Sequence, residues 1–137
     1  MLAWLEQKYP TSKNPLHAWE LSVLSSCPKC FQTDLIICSD VVEHIVDPDE
    51  LLNFICQFSF KYLVISTPDR EKLLYMEYYG SQSQSGPPVN FAHVREWSFS
   101  EFEQYVGNYF DIVEHRNFDR DPYCQVIIAK KKNQDQK

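Results

Sequence analysis

Two carboxylates and an imidazole lie close together in one short stretch of the sequence, Asp40-Val-Val-Glu43-His44. Side chains of these types on one turn can hold a hard divalent cation, or they can take a proton from a hydroxyl group. Glu43 and His44 are therefore the candidate catalytic residues, and Asp40 joins them as a candidate ligand. The alternative is a structural role, in which Glu43 caps backbone groups and His44 fills a pocket beside a sheet.

The flanking residues predict a strand, a polar turn and a helix around this stretch. Leu35 to Cys38 is a continuous apolar run, which is typical of a parallel strand that is buried on both faces. Asp47 and Pro48 then suit the N-cap and the first position of a helix. In open α/β sheets, ligands bind beyond the carboxyl ends of the strands, so we expect the site to lie between this strand and this helix.

A second strand extends the pattern into a βαβ unit. The helix predicted from Pro48 to about Phe58 carries its apolar residues on one face. Tyr62 to Ser66 is a second buried strand, and Thr67-Pro68-Asp69 ends it. Two apolar strands joined by an amphipathic helix predict a parallel pair with a right-handed crossover.

The two ends of the chain complete the predicted fold class. Ser98-Phe-Ser-Glu101 is a capping box that opens a helix, and apolar strands follow from Phe110 to His115 and from Tyr123 to Ala129. Nearer the N-terminus, we expect a short helix over Met1 to Tyr9 and a weak strand from Trp19 to Val23. The fold class is therefore α/β, with a mostly parallel sheet and an antiparallel C-terminal hairpin.

The composition fits one globular domain and excludes some classes of function. The 137 residues are 44% hydrophobic and carry a net charge of -6, which argues against a general nucleic-acid or anionic-membrane surface. No apolar run approaches the ~20 residues of a membrane span. The N-terminus has no signal-peptide pattern, so a cytoplasmic location is expected. We expect a single domain over residues 1–129 and a basic polar tail over 130–137.

The cysteines offer a separate, weaker hypothesis. Five cysteines with scattered spacing do not resemble a disulfide framework. Cys27 and Cys30 have metal-knuckle spacing, but structural zinc needs four ligands and no second pair follows. A loop with two reduced thiols is the favoured interpretation, and a metal-binding regulator is the alternative.

The order and spacing of the elements resemble the second half of a class I S-adenosylmethionine-dependent methyltransferase. The resemblance runs from about Asp34 to Ala129 and is carried by Asp34-Leu-Ile-Ile-Cys-Ser-Asp-Val-Val-Glu-His, by Tyr62-Leu-Val-Ile-Ser-Thr-Pro-Asp69 and by Trp97-Ser-Phe-Ser-Glu-Phe. It implies a partial Rossmann-like methyltransferase sheet and S-adenosylmethionine as the cofactor. It also implies methyl transfer to an oxygen or nitrogen of a small-molecule or terminal-group substrate.

The resemblance assigns roles to residues at the ends of the two strands. Ser39 and Asp40 are implied to contact the cofactor. The run Thr67-Pro68-Asp69 is expected to border the substrate. The polar segment from Gly80 to Asn90 is either a lid over that substrate or a plain surface insertion. Arg95 would attract an acidic group on that substrate.

The sequence departs from the family at the glycine-rich turn after the family's first strand. There are three glycines, Gly80, Gly86 and Gly107, and none follows a strand and opens a helix. This favours an alternative function, an inactive partial methyltransferase domain that acts as a binding or interaction module. Without the family's first strand beside it, Leu35 to Cys38 would have an open apolar edge, which invites self-association or a partner chain.

A narrower resemblance implies a metal site. Small-RNA 2′-O-methyltransferases and ubiquinone-pathway O-methyltransferases have a similar acid-x-x-Glu-His pattern. The RNA enzymes have a further histidine ahead of a Glu-Trp pair, as in His93-Val-Arg-Glu96-Trp97. Asp40, Glu43, His44 and His93 would then hold an octahedral Mg²⁺ that leaves room for substrate hydroxyls. A metal-free site with His44 as the base is the other interpretation.

Overall fold

Four strands form one mixed sheet in the computed structural model, which describes residues 32–73, 86–88, 90–118 and 123–132. The sheet has the order β1-β2-β4-β3. β1 and β2 are parallel, and β4 is antiparallel to both of its neighbours, so β1, β2 and β3 run in the same direction. The predicted mixed sheet with an antiparallel hairpin is therefore confirmed. The strands are β1 (Gln32–Ser39), β2 (Ser59–Pro68), β3 (Phe110–Phe118) and β4 (Cys124–Lys131).

The helices begin where the sequence predicts caps. The first, α1 (Pro48–Ile55), starts at Asp47, whose carboxylate accepts the Asp49 and Glu50 amides. It ends before Phe58, because the chain turns there to enter β2, but Phe58 stays buried against the Phe54 ring. A short helix, α2 (Arg70–Leu73), follows β2, and a 3-10 turn (Val42–His44) lies between β1 and α1.

The last helix, α3 (Phe99–Gly107), begins with the predicted capping box. Ser98 accepts the Glu101 amide, and the Glu101 side chain accepts the Ser98 amide. Two of the otherwise unpaired first-turn donors are thus satisfied, which contributes about 1 kcal/mol. Tyr105 joins α3 to α1 by donating its hydroxyl to Asp49 at 2.7 Å.

The core lies on one face of the sheet. Inward side chains of β1, β2 and β4 pack against the apolar faces of α1 and α3. On the other face, Leu35, Ile37 and Tyr62 are 46%, 66% and 41% exposed. The core itself consists of these buried residues: Cys38, Val42, Leu51, Leu52, Ile55, Leu63, Ile65, Trp97, Phe102, Val106, Phe110, Ile127 and Ala129.

The start of the predicted basic tail belongs to the sheet. Lys130 and Lys131 are in β4, where Lys131 is paired with Phe110 of β3. Lys131 also donates its Nζ to the Phe58 carbonyl at 3.0 Å, and Lys132 donates to the Asn108 carbonyl at 3.0 Å. The strand continues past Ala129 because the lysine backbones still have β3 as a partner, while their side chains reach carbonyls at the ends of other elements.

Several predicted features lie outside the described residues. They are the helix over 1–9, the strand around 19–23, the thiols of Cys27 and Cys30, most of the lid over 80–90 and the hairpin turn over 119–122. No helix in the described ranges is long and apolar enough to cross a membrane.

Candidate functional site

The chain leaves β1 through a left-handed turn that places polar groups at the carboxyl end of the sheet. Asp40 has a φ of 53°, a backbone conformation that aspartate adopts more readily than most residues. Its amide donates to the Ser66 carbonyl at 3.1 Å, which fixes the turn against the parallel neighbour β2. The hydroxyl groups of Ser39 and Ser66 form a hydrogen bond of 2.8 Å. The two predicted cofactor residues, Ser39 and Asp40, therefore lie at the edge where ligands of such sheets bind.

Glu43 is a buried acid with an unpaired oxygen. It lies in the 3-10 turn that follows, and 1% of the residue is exposed. Within the part of the chain that the structure describes, Oε2 has no hydrogen-bond partner. Burial raises the pKa of Glu43, since the charged form has lost its hydration. The carboxylate is thus held in a state that favours taking up a proton or a cation.

His44 presents one nitrogen to Glu43. Its Nδ1 lies 2.9 Å from the Ala92 carbonyl, which only accepts, so Nδ1 carries the proton and donates. In the neutral imidazole Nε2 then keeps its lone pair, and it lies 3.9 Å from Glu43 Oε1. The side chain is 44% exposed, so an external group can reach the imidazole ring.

A segment distant in sequence closes the site. The Glu43 carbonyl accepts the amides of Val94 and Arg95 at 2.8 and 3.2 Å, which ties residues 90–97 to the 3-10 turn. The rings of His44 and His93 consequently meet edge to face, with centroids 5.0 Å apart. Ligand atoms of Glu43, His44 and His93 all lie within 4.8 Å of one another.

His93 is held in one orientation by two neighbours. The Asn90 side-chain oxygen accepts the Ala92 amide at 2.9 Å, so the Asn90 nitrogen faces His93 Nε2 at 3.2 Å as a donor. His93 Nδ1 must then carry the proton, which it donates to Glu96 Oε1 at 2.7 Å. A carboxylate that orients a histidine in this way is a common feature of catalytic and metal sites. The side chains of His93 and Glu96 are 6% and 0% exposed.

The structure brings together three of the four predicted metal ligands. Glu43, His44 and His93 converge, whereas Asp40 is not part of the group. Its carboxylate turns to the hydroxyls of Ser39 and Ser66, at 3.1 and 3.3 Å, because the left-handed turn aims it back at the strand ends.

Two contributors to the site were not predicted from the sequence. Asn90 and Glu96 set the orientation of His93, and neither received a role of its own. The Glu-Trp pair after His93 was a usable signal for Glu96, since a carboxylate three residues from a histidine can reach its ring. Nothing in the sequence distinguished Asn90 from other loop residues.

The predicted substrate residues occupy two environments. Thr67 and Asp69 are 0% and 1% exposed at the end of β2. The Asp69 amide donates to the Tyr123 carbonyl, and its carboxylate accepts the Glu71 amide at 3.0 Å. Arg95 is exposed, with its guanidinium 5.7 Å from the centre of the Trp97 ring, beside an open groove of about 430 Å³ along α3. Their roles toward a substrate stay predictions.

No protein-family model matches the sequence, and comparison with curated proteins finds no significant match. Solved structures do match in three dimensions. Magnesium protoporphyrin IX methyltransferase (ChlM) from Synechocystis PCC 6803 with bound SAH superposes with a TM-score of 0.65 at 14% identity, over 96% of this chain and 60% of that chain. A SAM-dependent methyltransferase from Aquifex aeolicus gives a TM-score of 0.56 at 17% identity, over 95% and 62% of the two chains.

A third match is to the Pnkp1/Rnl/Hen1 RNA repair complex, with a TM-score of 0.57 at 16% identity, over 94% of this chain and 28% of that chain. The chain has the fold of class I S-adenosylmethionine-dependent methyltransferases, as a partial Rossmann-like sheet. It spans about 60% of the length of the Synechocystis enzyme.

Proposed function

We propose that this protein takes part in methyl transfer from S-adenosylmethionine to an oxygen or nitrogen of a small-molecule or terminal-group acceptor, with His44 as the base. The observation that carries the proposal is the position of His44 Nε2, 3.9 Å from a buried carboxylate beyond the carboxyl end of β1, while Nδ1 is held by the Ala92 carbonyl. In a sheet of this type, that edge is the ligand-binding edge.

The residues of the site have distinct tasks in this proposal. When bound, S-adenosylmethionine supplies an electrophilic methyl group, and Ser39 and Asp40 would hold the cofactor. His44 Nε2 takes the proton that the acceptor loses, while its Nδ1–H stays on the Ala92 carbonyl. The Glu43 carboxylate, 3.9 Å from Nε2, stabilises the imidazolium that results. Holding the acceptor in line with the methyl group supplies a large share of the rate.

The residues at the carboxyl end of β1 supply part of what a cofactor-binding site needs. Ser39 and Asp40 are exposed polar groups at the ligand-binding edge, on a turn that is fixed by Ser66. The glycine-rich turn of the family is absent from the sequence. A catalytically inactive module with this fold is therefore the competing proposal, and cofactor binding separates the two.

Calorimetric titration of S-adenosylhomocysteine into the purified chain tests the proposal. We expect binding in the micromolar range, about -8 kcal/mol. A Ser39→Ala, Asp40→Ala double variant should bind more weakly, because it lacks the polar groups at the strand ends. Absence of heat from a chain that circular dichroism shows to be folded would favour the inactive module.

Metal-assisted transfer is a second candidate, and the convergence of Glu43, His44 and His93 favours it. The unpaired Glu43 Oε2 is an available ligand atom, and His44 Nε2 is another. Two imidazole nitrogens and one carboxylate suit a transition metal better than Mg²⁺, which prefers oxygen ligands. His93 Nε2 would have to exchange its contact with the Asn90 amide for the cation.

Titration of Mn²⁺ into the wild type and into His93→Gln, followed by calorimetry, tests this second candidate. We expect Mn²⁺ binding that the His93→Gln variant weakens at least about tenfold, since the loss of a residue that merely orients a ligand already has an effect of that size. A His17→Gln variant removes a histidine elsewhere in the sequence and serves as the control. Equal binding by the wild type and His93→Gln, or none by either, would leave His44 as a metal-free base.

A further inference from the structure

Gln125 is a fully buried amide that links three parts of the fold. It lies in β4, with 0% of the residue exposed. Its Nε2 donates to the Trp97 carbonyl at 3.0 Å and lies 3.4 Å from the Pro68 carbonyl. One side chain therefore joins β4 to the end of β2 and to the segment that carries His93 and Glu96.

Hydrogen bonds at both ends of the Gln125 amide fix which way it points. Because Gln125 Nε2 faces two carbonyls, its Oε1 must accept, and it does so from His115 Nε2 at 3.1 Å. The His115 ring is stacked on Phe99 with centroids 3.6 Å apart and the planes 2° apart. Burial lowers the pKa of His115, which keeps the ring neutral at neutral pH.

The Trp97 carbonyl connects this network to the candidate site. It accepts the Arg70 amide at 3.0 Å as well as the Gln125 amide, so the backbone of the segment is fixed against the end of β2. The preceding residue is Glu96, which accepts both His93 Nδ1 and the Asn90 amide. A shift of the Trp97 backbone would therefore move Glu96 away from His93.

We propose that Gln125, oriented by the two carbonyls and by His115, is a positioning residue that fixes Glu96 against His93 and thereby sets which nitrogen of His93 carries the proton. The inference rests on the proposed function, since it concerns how the same site is held ready. It adds a residue on β4 that touches none of the reacting groups. A buried amide that only satisfied carbonyls would not control a histidine tautomer, and this difference can be measured.

Long-range ¹H–¹⁵N spectra of the full chain, labelled with ¹⁵N-histidine, report the tautomer of each ring directly. A His93→Gln variant identifies the His93 signals. We expect the wild type to show His93 protonated at Nδ1 alone. In a Gln125→Met variant, which keeps the side-chain length and removes both hydrogen-bonding groups, we expect this single-tautomer pattern to be lost. Circular dichroism establishes that the variant is folded.

Asn117→Val is the matched control, because Asn117 lies opposite Gln125 in the neighbouring strand β3 and its buried Oδ1 has no partner among the described residues. It should leave the His93 signals unchanged. If Gln125→Met does not fold, His115→Phe keeps a ring on Phe99 and removes the donor to Gln125, and it should disturb the His93 pattern. An unchanged His93 pattern in either folded variant overturns the proposal. Neither methyl transfer nor cofactor binding enters the test, so its failure is distinct from failure of the proposed function.

Discussion

Replacement of Glu43 with glutamine is expected to make the protein more stable and less active. We expect the free energy of unfolding at neutral pH to rise by about 1.4 kcal/mol for each pH unit by which burial raises the pKa of Glu43, because an amide has no charge to desolvate. Glu43 is 1% exposed, and its Oε2 has no partner within the described ranges. Glutamine has the same shape without the charge, so it removes the desolvation cost.

The stabilisation should depend on pH in a defined direction. Burial raises the pKa of Glu43 in the folded protein above its unfolded value of about 4.3. The folded state therefore binds more protons than the unfolded state in the interval above that value. Wild-type stability falls as the pH rises through the interval. The greater stability of Glu43→Gln over the wild type should appear above this pH interval and vanish below about pH 4.

The same substitution should lower methyl transfer by about 100-fold or more, the usual contribution of an acid–base pair. An amide cannot stabilise a His44 imidazolium, and its N–H can occupy the Nε2 lone pair. Glu43→Ala combined with His44→Ala should abolish the reaction while the fold remains.

Urea unfolding at acidic and neutral pH measures the first effect, and formation of S-adenosylhomocysteine measures the second. Glu50→Gln removes the same charge from an exposed position and should change stability by about 0.5 kcal/mol or less. If Glu43→Gln is less stable than the wild type at neutral pH, the Glu43 carboxylate must form a stabilising hydrogen bond or ion pair, which contradicts the prediction.

Truncation of Phe102 is expected to have the largest effect on stability. Phe102→Ala should lower the free energy of unfolding by about 3–5 kcal/mol, since it opens a cavity in the core. Phe102 is fully buried on α3, 5.8 Å from the Trp97 ring and 6.2 Å from His115 between centroids. The free energy of unfolding of a typical domain is about 5–15 kcal/mol, so this loss is a large fraction of the total stability.

Urea unfolding followed by circular dichroism measures this loss. Phe91→Ala is the matched control, because Phe91 is 100% exposed and its truncation should cost about 0.5 kcal/mol or less. Phe102→Leu should fall between the two, since leucine fills part of the cavity. Equal midpoints for Phe102→Ala and Phe91→Ala would mean that α3 does not pack on the sheet as the structure has it.

The sequence alone determined the elements and the position of the site along the chain. Continuous apolar runs located β1 and β2, and the Asp47 cap and the Ser98–Glu101 capping box located the starts of α1 and α3. These signals are local, because hydrophobic periodicity and end caps depend on residues a few positions apart. The proximity of Glu43 and His44 to a strand end followed from the same local pattern.

The tertiary structure decided which side chains meet. Asp40 lies three residues before Glu43 but is directed away from it, since a positive φ and the hydrogen bonds that its amide donates to Ser66 fix the turn. His93 reaches the site because the Glu43 carbonyl binds the backbone after it. The resemblance to the RNA methyltransferases predicted that His93 lies near Glu43, whereas the distance between the two residues along the sequence did not.

Gln125 shows the same limit of a sequence pattern most clearly. In the sequence it is a polar residue in an apolar strand, and only the fold shows that its amide bonds the Trp97 carbonyl. Local patterns reflect backbone preference and burial, whereas the direction of a polar side chain depends on hydrogen-bond partners from distant segments. Those partners exist only once the strands and loops have packed together.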